Sequence, residues 1–130
     1  MSESSIKLIF TVFLLSTLIN DIVAQEGFPV DGSWRGGWGL AGGKQTPVVL
    51  VMKWDGEKIG GLINPGPESI EFKSAILTPE TWMVHIEAAD RDGIPIIIDG
   101  RLHDIGSYNR SIAGTWNQDG LENTFAITRE

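Results

Sequence analysis

Beyond residue 31 the chain alternates between apolar and polar positions in short runs. Trp82, Val84, Ile86 and Ala88 share one parity while Met83, His85 and Glu87 take the other, which is how a strand with one dry and one wet face reads. Ile70, Phe72, Ser74 and Ile76 against Glu71, Lys73 and Ala75 read the same way. The spacing predicts eight strands, over residues 32–40, 47–54, 58–64, 69–77, 81–90, 94–102, 109–118 and 123–129. Between them stand Asp55-Gly56, Pro65-Gly66-Pro67, Thr78-Pro79-Glu80, Asp92-Gly93, Asp104-Ile105-Gly106-Ser107 and Asp119-Gly120. Each supplies a residue that accepts positive φ or a proline of fixed φ, as hairpin connections require. No helical stripe of useful length interrupts them. Consecutive hairpins favour an antiparallel meander, and eight strands are enough to close and remove exposed edges. The expected fold is all-β, an eight-stranded antiparallel up-and-down barrel. A two-sheet β-sandwich is the alternative, since turn lengths do not establish that the first and last strands pair.

Two strands depart from clean alternation. Val48, Leu50, Met52 and Trp54 form one row while Pro47, Val49 and Val51 form the other, and Ile94, Ile96 and Ile98 stand against Pro95 and Ile97. Apolar residues on both faces ask for a cover. A second copy, making a homodimer, or a partner protein would supply it, as would residues 25–31 with Phe28 and Pro29.

Residues 8–19 are uncharged and mostly apolar, preceded by Lys7 and ended by Asn20 and Asp21. This is the layout of a secretory signal peptide; a spanning helix needs roughly 20 apolar residues. Cleavage after Ala24 would leave residues 25–130 as a single β-barrel domain, not membrane-spanning, in a secreted or periplasmic protein. The whole chain has 130 residues, 10 basic and 17 acidic side chains and a net charge of −7. That balance argues against nucleic acid, whose phosphates call for a basic footprint. There is no cysteine, so disulfides, thiolate metal sites and a cysteine nucleophile are excluded and the core must close by packing.

Gly32-Ser33-Trp34 near the start and Gly114-Thr115-Trp116 near the end are both Gly-x-Trp. With Arg129 in the last strand, the layout resembles the calycin superfamily, lipocalins in particular, whose first strand opens with Gly-x-Trp and whose last strand carries an arginine lying against that tryptophan. The resemblance implies a barrel closed by Gly32, Trp34 and Arg129, and a cavity for a small ligand. Arg129 could stack its guanidinium on the indole and donate to carbonyls at the barrel's end. The chain is shorter than typical lipocalins and lacks their disulfides and the helix after the barrel. Residues 114–118 followed by Phe125-Ala126-Ile127-Thr128-Arg129 are also similar to the C-terminal part of small exported bacterial domains, found alone or before α/β-hydrolase domains, a family that carries no activity over.

Candidate chemistry is sparse. His85 and Glu87 share the polar side of a strand and could share a proton, but no nucleophile is tied to them and two solvated residues are the simpler account. His103-Asp104 reads as loop polarity, and no metal or cofactor is implied. Ser69, Ser74 and Ser111 lack a Gly-x-Ser-x-Gly elbow, and Ala41-Gly42-Gly43-Lys44 lacks the spacing of a phosphate loop. No catalytic residue is assigned.

The unusual supply is aromatic. Trp34, Trp38, Trp54, Trp82 and Trp116 can each remove about 150–250 Å² from water, roughly 4–6 kcal/mol as an upper bound, and burial accounts for most of them. Two functions follow. In the first, a binding module holds a small hydrophobic or aromatic ligand in its lumen, bracketed by Trp38, Trp54, Phe72, Trp82 and Trp116, with Gly36, Gly60, Gly61 and Gly114 leaving the space. In the second, the lumen is filled by side chains and the barrel has a structural or protein-interaction role.

Overall fold

The computed structural model describes residues 28–130; the expected signal peptide, residues 1–24, lies outside them. Nine strands form: β1 (Gly32–Gly39), β2 (Thr46–Trp54), β3 (Ile59–Ile63), β4 (Ile70–Glu71), β5 (Ser74–Thr78), β6 (Met83–Ala89), β7 (Pro95–His103), β8 (Ser111–Gln118) and β9 (Leu121–Arg129). All described residues are strand, bridge, turn or irregular, with no helix among them. The strands make one continuous antiparallel sheet in the order β4-β3-β2-β1-β9-β8-β7-β6-β5. First and last strands pair, with Trp34 opposite Arg129 and Trp38 opposite Phe125. Two separate sheets packed face to face are therefore not what this chain builds.

The turns form where their residue types demand. Asp119 (φ 53°) and Gly120 (φ 73°) both take the left-handed region in the two-residue β8–β9 hairpin, as a type I′ connection requires. Asp55 accepts at Oδ1 from the backbone N–H of Glu57 (2.9 Å) and Lys58 (2.8 Å), fastening the β2–β3 turn through its own side chain. Asp90 does the same for Asp92 (2.9 Å) and Ile94 (3.0 Å) between β6 and β7.

The expected count of eight strands is corrected to nine because residues 69–77 do not form one strand. Leu62 and Ile63 of β3 pair with Glu71 and Ile70, whereas Ser74 through Thr78 pair with β6. At the break, Phe72 N–H donates to Gly61 (3.0 Å) and Lys73 N–H to Glu87 (2.8 Å). The chain thus changes neighbours between two consecutive residues, and in doing so reverses its faces. Ile70 and Phe72 pack against the core, but the next inward residues are Ala75 and Leu77, while Ser74 and Ile76 face out, Ile76 with 47% exposure. The expected dry row 70-72-74-76 therefore fails after Phe72: two successive outward residues, 73 and 74, shift the period as a bulge does. The two edges of the curled sheet, β4 and β5, are thus adjacent along the chain, and below the break only an isolated bridge, Lys58 opposite Ile76, joins β3 to β5.

Elsewhere the alternation holds. Val84, Ile86 and Ala88 are buried, in one cluster with Ile96, Ile98 and Leu102 of β7, Ile112 and Trp116 of β8, Phe125 and Ile127 of β9, and Leu50 and Met52 of β2. Side chains fill the interior. Gly36 and Gly114 do not open space in it: a Cβ on either would stand 1.9 Å from a neighbouring carbonyl oxygen, of Ala126 or Asp99. They are glycine because adjacent backbones close in there.

Residues 28–31 do not cover an outer row. Val30 and Pro29 are fully buried, the Trp34 indole N–H donates to the Val30 carbonyl (2.8 Å), and Arg110 donates to the Pro29 carbonyl (3.0 Å) and to that of Ile105 (2.9 Å). This segment plugs one end of the sheet. Burial holds the Arg110 guanidinium below its ordinary pKa, with Arg129 adding repulsion. The Arg129 stem lies over Gly32, 3.5 Å from where a Cβ would sit. Its guanidinium, expected on Trp34, instead stands over the Tyr108 ring, 5.6 Å from the centroid, and donates to the Tyr108 carbonyl (3.3 Å). The apolar outer rows of β2 and β7 lie four places apart in the strand order, so they form two separate strips.

Candidate functional site

The interrupted seam between β3 and β5 is the candidate site. Above it the ladder ends at the Phe72–Gly61 hydrogen bond, and below it resumes at the Lys58–Ile76 bridge. A cleft of about 470 Å³ opens between these two points. One wall is Lys53, Trp54 and Asp55 at the end of β2 with Lys58, Ile59 and Gly60; the other runs from Phe72 to Ile76. Ile59 and Ala75 are buried at its base, Trp54 and Phe72 are half-buried, and the three lysines are exposed. Gly60 has no side chain to fill the mouth, and a Cβ there would meet only the Lys53 carbonyl, at 4.0 Å.

Local structure explains why the site is fixed. Trp54 closes β2 because its N–H donates to Asp31 Oδ1 (2.8 Å), and the Asp55 turn holds Lys58 opposite. Those two N–H bonds, from Lys58 first and then Glu57, hold the Asp55 carboxyl below its ordinary pKa. The Trp54 indole Nε1 is buried without a hydrogen-bond partner, the only such side-chain atom among the described residues. An unmet buried donor costs about 1–3 kcal/mol and calls for an explanation.

Of the residues expected to bracket a ligand, the cleft brings together Trp54 and Phe72. Trp38 and Trp116 stack on each other in the filled interior, with Phe125 against Trp116. Trp82 lies in the turn before β6 with φ 57°, half-buried against the core. Sequence reasoning missed Lys53, Lys58 and Lys73. Their clustering follows from the break at Phe72, which residue types alone do not announce.

A polar row crosses the outer face beside the cleft. Ser74 donates to Glu87 Oε2 (2.8 Å), His85 Nδ1 lies 2.5 Å from Asp99 Oδ1, and His85 Nε2 lies 3.6 Å from Glu87 Oε1. The hydrogen bond with Asp99, ahead of the opposing effect of burial and aided by Glu87, raises the His85 pKa above 6.5. Both ring nitrogens face carboxylates and the serine hydroxyl is given to a carboxylate, so the row stores charge and presents no activated nucleophile. Among the described residues, no group of three or more His, Asp or Glu is placed to hold a metal ion, and no helix is long and apolar enough to cross a membrane.

Comparisons with protein-family models, with curated proteins and with solved structures give no match.

Proposed function

We propose that this protein is an exported, lipocalin-like binding module that holds a small ligand with an apolar or aromatic body, in the cleft at the β3–β5 seam rather than in a central lumen. The observation that carries this reading is the cleft itself. Apolar and aromatic side chains floor it, a glycine leaves its mouth open, and its volume falls in the range of about 300–1,000 Å³ usual for small-molecule sites. The apolar stretch 8–19, read as a secretory signal peptide, supports export to the periplasm or beyond the cell.

Equilibrium dialysis with 2-naphthol tests the reading. Wild-type protein should bind it saturably, and Gly60→Phe, whose Cβ would stand in ordinary contact with the Lys53 carbonyl oxygen at 4.0 Å and whose ring would occupy the mouth, should not, while keeping the wild-type circular dichroism. Absence of binding to the wild type, or unimpaired binding to Gly60→Phe, would overturn it. The filled interior favours a second reading, a structural or interaction barrel, and the same two outcomes would leave that one standing.

A further inference from the structure

We infer that the ligand of the seam cleft is an organic anion, an apolar or aromatic body bearing a carboxylate that the lysines at the rim receive; this rests on the reading of the cleft as a binding site. Residues 28–130 contain four lysines, Lys44, Lys53, Lys58 and Lys73. Three of them line this one cleft. They reach it from three different places: the end of β2, the β2–β3 turn and the break between β4 and β5. In a chain of net charge −7, such a gathering of cations around an apolar floor is a local reversal of sign.

Internal pairing does not account for it. Among the described residues, carboxylates lie within ion-pair distance of Arg35, His85 and Arg91, and of no lysine. Asp55 is the one acid in the lining, and its Oδ1 is already committed to two backbone N–H groups of its own turn. Glu87, the nearest acid on β6, holds the Ser74 hydroxyl and faces His85. Three ammonium groups against one carboxylate leave the rim positive by two charges. An apolar floor beneath unpaired cations favours a ligand of matching polarity, body inward and anionic head at the rim, where charge-assisted hydrogen bonds exceed neutral ones in strength. A neutral hydrophobe would satisfy the floor and leave the lysines idle.

The test compares 2-naphthoate with 2-naphthol, the same ring system with and without charge at pH 7, by equilibrium dialysis. Naphthoate should bind about tenfold more tightly in dilute buffer, the margin of a single charge-assisted contact, and the margin should shrink as salt rises from about 50 mM to about 500 mM. The triple variant Lys53→Gln, Lys58→Gln, Lys73→Gln should unfold at the wild-type urea concentration and lose the preference for naphthoate over naphthol. Equal affinity for the two probes, or a preference that survives in the variant, overturns the anion inference while the cleft stands as a site for neutral ligands. Failure of both probes to bind overturns the cleft reading and this inference together.

Discussion

The indole of Trp38 lies parallel to that of Trp116, with ring centroids 4.8 Å apart and planes inclined by 2°. Phe125, opposite Trp38 across the β1–β9 ladder, tilts against Trp116 at 5.9 Å and 41°. Three strands meet in this stack, and Trp116 is also held by its indole N–H donating to Gln118 Oε1 (2.9 Å), whose amide donates on to Asp90 (3.1 Å).

Removing the buried member of that stack should be costly. Trp116→Ala should lose about 3–5 kcal/mol in urea unfolding, within the range for large aromatic truncations, and Trp38→Ala less, because Trp38 is half-buried. A double-mutant cycle should give a coupling of about 0.5–1.5 kcal/mol. Strict additivity would show that the parallel rings contribute only their separate burial.

How the sheet packs was largely visible in the residue pattern, and where it opens was not. Val84, Ile86 and Ala88 point inward as their alternation requires, and Asp119-Gly120 turns as its types require. In residues 69–77, however, Ile70, Phe72, Ala75, Ile76 and Leu77 are apolar on both parities, so local composition tolerates either register after Phe72. The choice is made by tertiary pairing: Lys73 N–H finds the Glu87 carbonyl on β6, and the period shifts to suit. The lysine rim follows from that shift, and so does the parting of Trp54 and Phe72 from Trp38 and Trp116.

Close approach of backbones predicts a sharp contrast between glycines. Gly114→Ala would place a Cβ 1.9 Å from the Asp99 carbonyl oxygen, whereas Gly106→Ala meets nothing within 4 Å. The first should cost several kcal/mol, beyond about 3, and the second should stay within about 0.5 kcal/mol. Wild-type urea stability in Gly114→Ala would contradict the packing of β7 against β8.

The pKa of His85 sets a direction for pH dependence. Because the folded value is raised above 6.5 by Asp99 and then Glu87, the stabilisation is complete below the ordinary imidazole value and is lost as pH rises through the raised one. The stability difference between wild type and His85→Gln should therefore be greatest below pH 6.5 and fall as the pH rises above it. Its size should be about 1 kcal/mol or less, since the pair is well exposed. An NMR titration of the His85 ring with a midpoint below 6.5 would contradict the arrangement.

In the proposed function, ligand enters at the interrupted seam and rests on Trp54. The most direct measurement follows the indole N–H resonances of ¹⁵N-labelled protein during titration with 2-naphthoate. The expected result is a saturable shift of the Trp54 signal, accompanied by the backbone amides of Gly60 and Ala75, with the Trp38 and Trp116 signals unmoved. A titration that leaves Trp54 unchanged, or that moves Trp38 and Trp116 in its place, would contradict it.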